Sequence, residues 1–343
     1  MLNFQDLPDE LILKILSYQE AKDLISCGQA SKRIRRISHD GTLWVTTNLE
    51  KKIVKTELLE MILRKGCSIL NLCNCTILGS LSLNIKSQLR VLKLSQFSIH
   101  DDCDTDCKGE CVENTGFFDE LLFSCCSLQH LVMERVFLTP KMAKSICKNG
   151  KTLQTLNLNY SDLDSDSNNY WQEIIQCCLG LKEVNLACTN YGEGITAEDL
   201  KFLAENIPPD VEKLSLSCTQ QDRTFNDYHV KTLLRRCNKI KTLSLESTCV
   251  THHSLTNIRQ CLNHTLEELS LGPCDKISLT GFLELKSMPR LKILNVYFCK
   301  DEDEEIQILR RNLPHLMIKK VLMSKRGWHR FLDQSWLKFT WTT

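Results

Sequence analysis

The sequence predicts an α/β solenoid of stacked strand–helix units, with a short all-α segment in front and a basic, aromatic tail behind. Three observations carry this expectation. A six-residue pattern, apolar at positions 1, 4 and 6, returns eight times between Leu89 and Val296. Helical stretches fill the intervals between its copies. The first fifty residues lack the pattern and divide into three short helical segments.

The copies read LRVLKL from Leu89, LQHLVM from Leu128, LQTLNL from Leu153, LKEVNL from Leu181, VEKLSL from Val211, IKTLSL from Ile240, LEELSL from Leu266 and LKILNV from Leu291. Their starts are 39, 25, 28, 30, 29, 26 and 25 residues apart, and all but the first interval lie near one period. Looser copies, Cys67-Leu70-Leu72 and Leu313-Leu316-Ile318, flank them, giving about ten in all. Positions 4 and 6 alternate as a strand requires, so their side chains point inward while positions 3, 5 and 7 face the other side. Stretches such as GFFDELLFSCCS, YWQEIIQCCLG and YHVKTLLRRCNK supply the helices, each with a cysteine two or three residues before the next copy. Further cysteines stand near the strand ends, at Cys188, Cys218, Cys274 and Cys299. One strand–helix unit cannot cover its own apolar face, but stacked neighbours bury a continuous core.

This pattern resembles the cysteine-containing class of leucine-rich repeats over residues 67–318. The resemblance implies a right-handed horseshoe with strands on the concave face and helices on the convex one. A partner lying along the strands would meet Lys93, Asn157, Asn159, Asn185, Ser215, Ser217, Ser244, Glu246, Ser270, Asn295 and Tyr297. These are mostly small and polar, suited to a protein surface, and any one of them is equally well explained as a solvated side chain.

The front segment, residues 1–50, opens with DLPDELILKILSYQ, in which Leu7, Leu11, Ile12, Ile15 and Leu16 fall on one side of a helix and Leu13 on another. Pro8 suits the first turn, Asp6 could cap it, and Asp9 and Glu10 complement the helix dipole. A second helix from about Ala21 carries Leu24 and Ile25, and a third, basic one carries Ile34 and Ile37. Fifty residues do not easily make a self-sufficient core. Five such side chains buried on a partner would contribute about 7–15 kcal/mol gross, from which ordering and association costs subtract a large part. The alternative is packing against the first repeats alone. LPDELILKIL, the Leu24-Ile25 pair and DGTLW ending at Trp44 are similar in order and spacing to the F-box. The chain departs from the family pattern at Ile34, where a tryptophan is usual. The resemblance implies docking on a Skp-type adaptor, and through it on cullin and RING subunits, by Leu7, Pro8, Leu11, Ile12, Ile15, Leu16, Leu24, Ile25, Ile34, Leu43 and Trp44. Residues 51–66 read as a linker or first-repeat cap.

An F-box followed by such repeats is the layout of the F-box and leucine-rich-repeat family. It implies a non-catalytic substrate-recognition subunit of an SCF-type ubiquitin ligase, with protein substrate on the concave face and room for an accessory protein. The alternative is a repeat scaffold or binding protein without ligase function. Nothing in the chain suggests chemistry of its own: there is no GxSxG, HExxH or phosphate-binding glycine loop, and the 13 glycines do not cluster. No cofactor and no metal ligand set is expected.

Composition sets outer bounds. With 43 basic and 42 acidic residues the formal net charge is +1, so no overall field points to nucleic acid or membrane. The first ten residues hold three acids and no base, unlike a secretory signal, and the expected location is cytoplasm, nucleus or both. Nineteen cysteines read as reduced, small buried hydrophobes better than as a disulfide framework. Two segments stand apart. The long first interval inserts a loop near residues 98–116, where His100, Cys103, Cys107 and Cys111 have the donor types of a zinc site among acids that favour a solvated loop. The tail, 319–343, combines Lys and Arg with Trp328, Trp336 and Trp341; it reads as an end cap, a protein contact or a single-strand nucleic-acid binder. Lys32 to Arg36 reads as a solvated helix face or an import run.

Overall fold

Three short helices open the first of two units, Met1–Thr155 and Leu156–Thr343. The computed structural model describes residues 6–79, 86–95, 115–163, 170–187, 197–217, 225–272, 274, 276–296 and 302–320. Helices α1 (Asp9–Leu16), α2 (Ala21–Ala30) and α3 (Lys32–Ser38) bury Ile12, Leu16, Leu24, Ile34 and Ile37 together. Pro8 rather than Asp6 occupies the N-cap position of α1, and its own side chain makes no capping bond. Ser31 does cap α3, accepting from Ile34 N at 3.1 Å. Gly28 lets α2 and α3 approach: a Cβ there would stand 2.8 Å from Ser38 Oγ, a buried hydroxyl that donates to Arg35 O. Gly28→Val is therefore expected to cost about 1–3 kcal/mol, read as early loss of amide protection in α2 and α3.

A single 3₁₀ turn, Gly41–Trp44, joins this domain to β1 (Thr46–Asn48), followed by β2 (Ile53–Lys55), α4 (Thr56–Arg64), β3 (Ile69–Cys73) and β4 (Thr76–Leu78). Strand β1 pairs in parallel with β3, Thr46 opposite Ile69. That register places Trp44, Thr47 and Leu49 at positions 1, 4 and 6, so the repeats begin inside the segment read as F-box. Residues 51–66 are accordingly more than a linker: β2 pairs with β4, and α4 buries Leu59, Ile62 and Leu63. Threonine at position 4 hid this repeat from the apolar pattern. Trp44 serves both parts, buried and donating from Nε1 to Ser38 O at 2.9 Å.

The unit continues with β5 (Val91–Ser95), α5 (Thr115–Ser124), β6 (His130–Glu134), β7 (Phe137–Leu138) and α6 (Pro140–Lys148). Strands β1, β3, β5 and β6 form a parallel array, with Leu70, Leu92 and Leu131 in register. Strand β8 (Thr155–Asn157) leads to β9 (Asp162–Leu163), α7 (Tyr170–Cys177), β10 (Glu183–Asn185), α8 (Ala197–Asn206), β11 (Lys213–Ser215), α9 (Asp227–Leu234), β12 (Thr242–Ser244), α10 (His252–Leu262), β13 (Glu268–Ser270), α11 (Leu279–Phe282), β14 (Ile293–Val296), α12 (Glu302–Asn312) and β15 (Met317–Lys320). In the second unit β10 to β15 pair in parallel, with Val184, Leu214, Leu243, Leu269, Leu294 and Ile318 in one row. Each unit is thus a stack of leucine-rich-repeat type. Ile318 pairs with Leu294 and so stands at position 4, two residues from its expected place.

Neighbouring repeats are tied by polar caps. Asp227, first residue of α9, accepts from Thr251 N at 2.8 Å and Thr251 Oγ1 at 2.6 Å, and from Ser254 Oγ; Thr251 in turn caps α10. Asp119 and Thr139 repeat the device between α5 and α6. The cysteines that precede the strands lie inside: Cys67, Cys125, Cys178 and Cys237 are fully buried free thiols. Desolvation raises their pKa, to about 12 for Cys178 and about 11 for the others, so they act as small apolar groups.

Candidate functional site

Helix α1 divides the predicted apolar face in two. Ile12 and Leu16 turn inward and, with Leu24, Ile34 and Trp44, fill the domain's own core, so these five are withdrawn as direct partner contacts. They are spent on internal packing, together with Ala21 and Ile37, because three short helices have few apolar residues to close on. Leu11 and Ile15, one turn apart, remain 50% and 41% exposed, and Tyr18 and Ile25 are exposed at 74% and 37%. Pro8 is exposed and Leu7 and Leu43 half-buried. Tyr18, whose ring lies 5.3 Å from Lys14 Nζ, was not singled out by helical spacing because it lies beyond the end of α1.

The start of α1 is held from below by α3. Arg33 donates from Nε to Asp9 Oδ1 at 2.8 Å and from Nη2 to Leu7 O at 2.7 Å, while Arg36 takes Asp9 Oδ2. The Arg33 guanidinium, with Arg36 beside it, keeps the Asp9 carboxyl below its ordinary pKa. Arg35 donates to Gly28 O at 3.0 Å. Lys32, Arg35 and Arg36 of the basic run are exposed, as a solvated helix face requires, while Arg33 is half-buried and Arg33, Arg35 and Arg36 also bond within the domain.

Further along the chain, the helix-free face of the second unit's sheet presents the other predicted surface. Asn185, Ser215, Ser244, Ser270 and Asn295 stand in one row across five strands. These five, together with Asn159 and Ser217, are buried. Four of them bond in pairs across strands: Ser217 Oγ lies 2.7 Å from Ser244 Oγ, and Asn295 Nδ2 donates to Ser270 Oγ at 2.7 Å. The positions expected to touch a partner directly are therefore a polar ladder inside the protein. What remains partly exposed is Lys93 in the first unit and, in the second, Asn157, Glu246 and the position-3 row of Glu183, Lys213, Thr242 and Glu268. That row lies on the same face by alternation, and the choice of positions 5 and 7 alone passed over it. Tyr297, the loop with His100, Cys103, Cys107 and Cys111, and the tail with Trp328, Trp336 and Trp341 lie outside the described residues. Among the described residues no cluster of metal-ligating side chains forms a site.

Glu246 is the electrostatic exception on this face. Surrounding protein raises its pKa from 4.5 to about 7, a bond from Ser270 lowers it, and neighbouring Glu268 raises it further. A raised carboxyl pKa means the folded state holds the proton more tightly than the unfolded one. Stability is then full below about pH 4.5 and falls as pH rises towards 7. Glu246→Gln is expected to be more stable than wild type at pH 8, by up to about 3 kcal/mol, and no different at pH 4, in denaturant titrations at both pH values.

Comparison with known proteins places this geometry. A family model described as SKP2 LRR domain matches residues 57–326, and one described as F-box-like matches residues 4–50. Among solved structures, the leucine-rich repeat-containing protein LegL7 from Legionella pneumophila is 16% identical with a TM-score of 0.43, over 82% of this chain and 84% of that one. A chain of the Rad7 and Elc1 complex in yeast is 15% identical with a TM-score of 0.41, over 76% of this chain and 72% of that one. The two family models together span nearly the whole sequence, in the order that the helices and the repeats take in the structure. The chain belongs to the F-box and leucine-rich-repeat family, with repeats of the SKP2 type.

Proposed function

We propose that this protein is the substrate-recognition subunit of an SCF-type E3 ubiquitin ligase, acting in the cytoplasm, the nucleus or both. Its F-box docks on a Skp-type adaptor, which links it to cullin and RING subunits. The repeats capture a protein substrate for ubiquitination and proteasomal degradation. The observation that carries this reading is the apolar pair Leu11 and Ile15, one turn apart on α1 and left exposed by a domain whose core is already filled, with Ile25 exposed on α2. An exposed patch of that kind on a small helical domain marks a protein interface. The chain itself performs no bond-making step. Holding a target lysine near a charged conjugating enzyme raises the effective concentration of the reactants.

The test is a ligase reconstituted with adaptor, cullin, RING subunit and conjugating enzyme, supplied with a cell extract as the source of substrates. Ubiquitin transfer to proteins bound by the repeats, dependent on this chain, is the expected result. A stable complex with the adaptor that supports no transfer would replace the reading with that of a repeat scaffold.

A further inference from the structure

We propose that Asp9, Arg33 and Arg36 are positioning residues that hold the first turn of α1 in the geometry the adaptor recognises. The proposal rests on the adaptor-docking reading and adds residues that lie beneath the contact surface. Its basis is geometric. Helix α1 has Pro8 at its N-cap, a residue whose side chain makes no capping bond. Arg33 reaches back from α3 with a fork: Nε lies 2.8 Å and Nη2 2.6 Å from Asp9 Oδ1, and Nη2 also donates to Leu7 O at 2.7 Å. Arg36, one turn on, takes the other oxygen of Asp9. Both carboxylate oxygens and the carbonyl immediately before Pro8 are thus fixed by one helix. The residues so held, half-buried Leu7 and Asp9, open the helix that carries exposed Leu11 and Ile15.

Both partners are substantially exposed, so the ion pairs add little to global stability. Their effect falls instead on the ordering that binding requires. A helix start already held in place loses less freedom when it docks. A lysine at position 33 could replace the charge but not the planar fork that grips a carboxylate and a carbonyl at once.

The experiment measures adaptor affinity by titration calorimetry for the full chain and for Asp9→Asn, Arg33→Lys, Leu7→Ala and the double variant Asp9→Asn/Leu7→Ala, alongside thermal unfolding of each. Asp9→Asn and Arg33→Lys are each expected to weaken binding about tenfold, with melting temperatures close to wild type. The two losses in the double variant are expected to overlap rather than multiply, because the brace acts through Leu7. Wild-type affinity in Asp9→Asn and Arg33→Lys, or losses that multiply in the double variant, overturn the positioning role while leaving adaptor docking intact. Absence of binding by the folded wild-type chain overturns both together.

Discussion

Leu11→Asp combined with Ile15→Asp is expected to abolish adaptor capture without unfolding the chain. Each side chain offers an apolar surface that a partner would cover, worth about 1.5–3 kcal/mol when buried. Two such losses weaken binding by roughly 10²–10⁴-fold, and two carboxylates forced against an apolar partner add a desolvation cost. The folded chain tolerates the change because both positions are already 50% and 41% exposed and surface substitutions of this kind shift stability little. Ile12→Asp supplies the contrast. It sits on the same helix but at 0% exposure, so a charge there is expected to unfold the F-box outright. Calorimetric affinity and melting temperature, measured together on the two variants, separate a surface that binds from a face that packs.

Trp44→Ala is expected to be the most destabilising single truncation at the junction of F-box and repeats. The side chain is 1% exposed and stands at position 1 of a repeat whose strand, β1, pairs with β3. Removing so large a buried group costs about 3–5 kcal/mol, and Ser38 O loses the indole donor that meets it at 2.9 Å. Trp44→Phe keeps most of the packing and forfeits mainly that hydrogen bond, about 0.5–1.5 kcal/mol. Denaturant melts of the full chain should rank wild type, Phe, Ala in that order. Hydrogen exchange in the Ala variant should rise both in α1–α3 and in β1, since one side chain supports the two.

How much of this could be read beforehand differs between the parts. The repeats were legible because positions 4 and 6 recur with a strand's alternation, and Val184, Leu214, Leu243, Leu269 and Leu294 do fall into one row. The repeat at Trp44 was not, since Thr47 at position 4 breaks the apolar signal although it is buried and bonded to Trp44 O. Within α1, helical spacing identified an apolar side but not which half of it packs inward. That depends on where α3 lies, and Ile34 and Ile37 decide it. The helix-free sheet face was misjudged for a related reason. Serine and asparagine at positions 5 and 7 look solvent-facing in one strand, yet side by side they satisfy one another across strands, as Asn295 and Ser270 do. The brace from Arg33 to Asp9 spans 24 residues and has no periodic signature, so the basic run looked like an independent feature.

The central claim, that the exposed apolar side chains of the F-box form the adaptor-docking surface, is tested most directly by hydrogen exchange of the full chain with and without a purified Skp-type adaptor. Protection concentrated in residues 7–18 and around Ile25, with the strands of the second unit unchanged, is the result this account predicts. Exchange unaltered by a saturating adaptor, or protection confined to the sheet face with α1 left open, would contradict it.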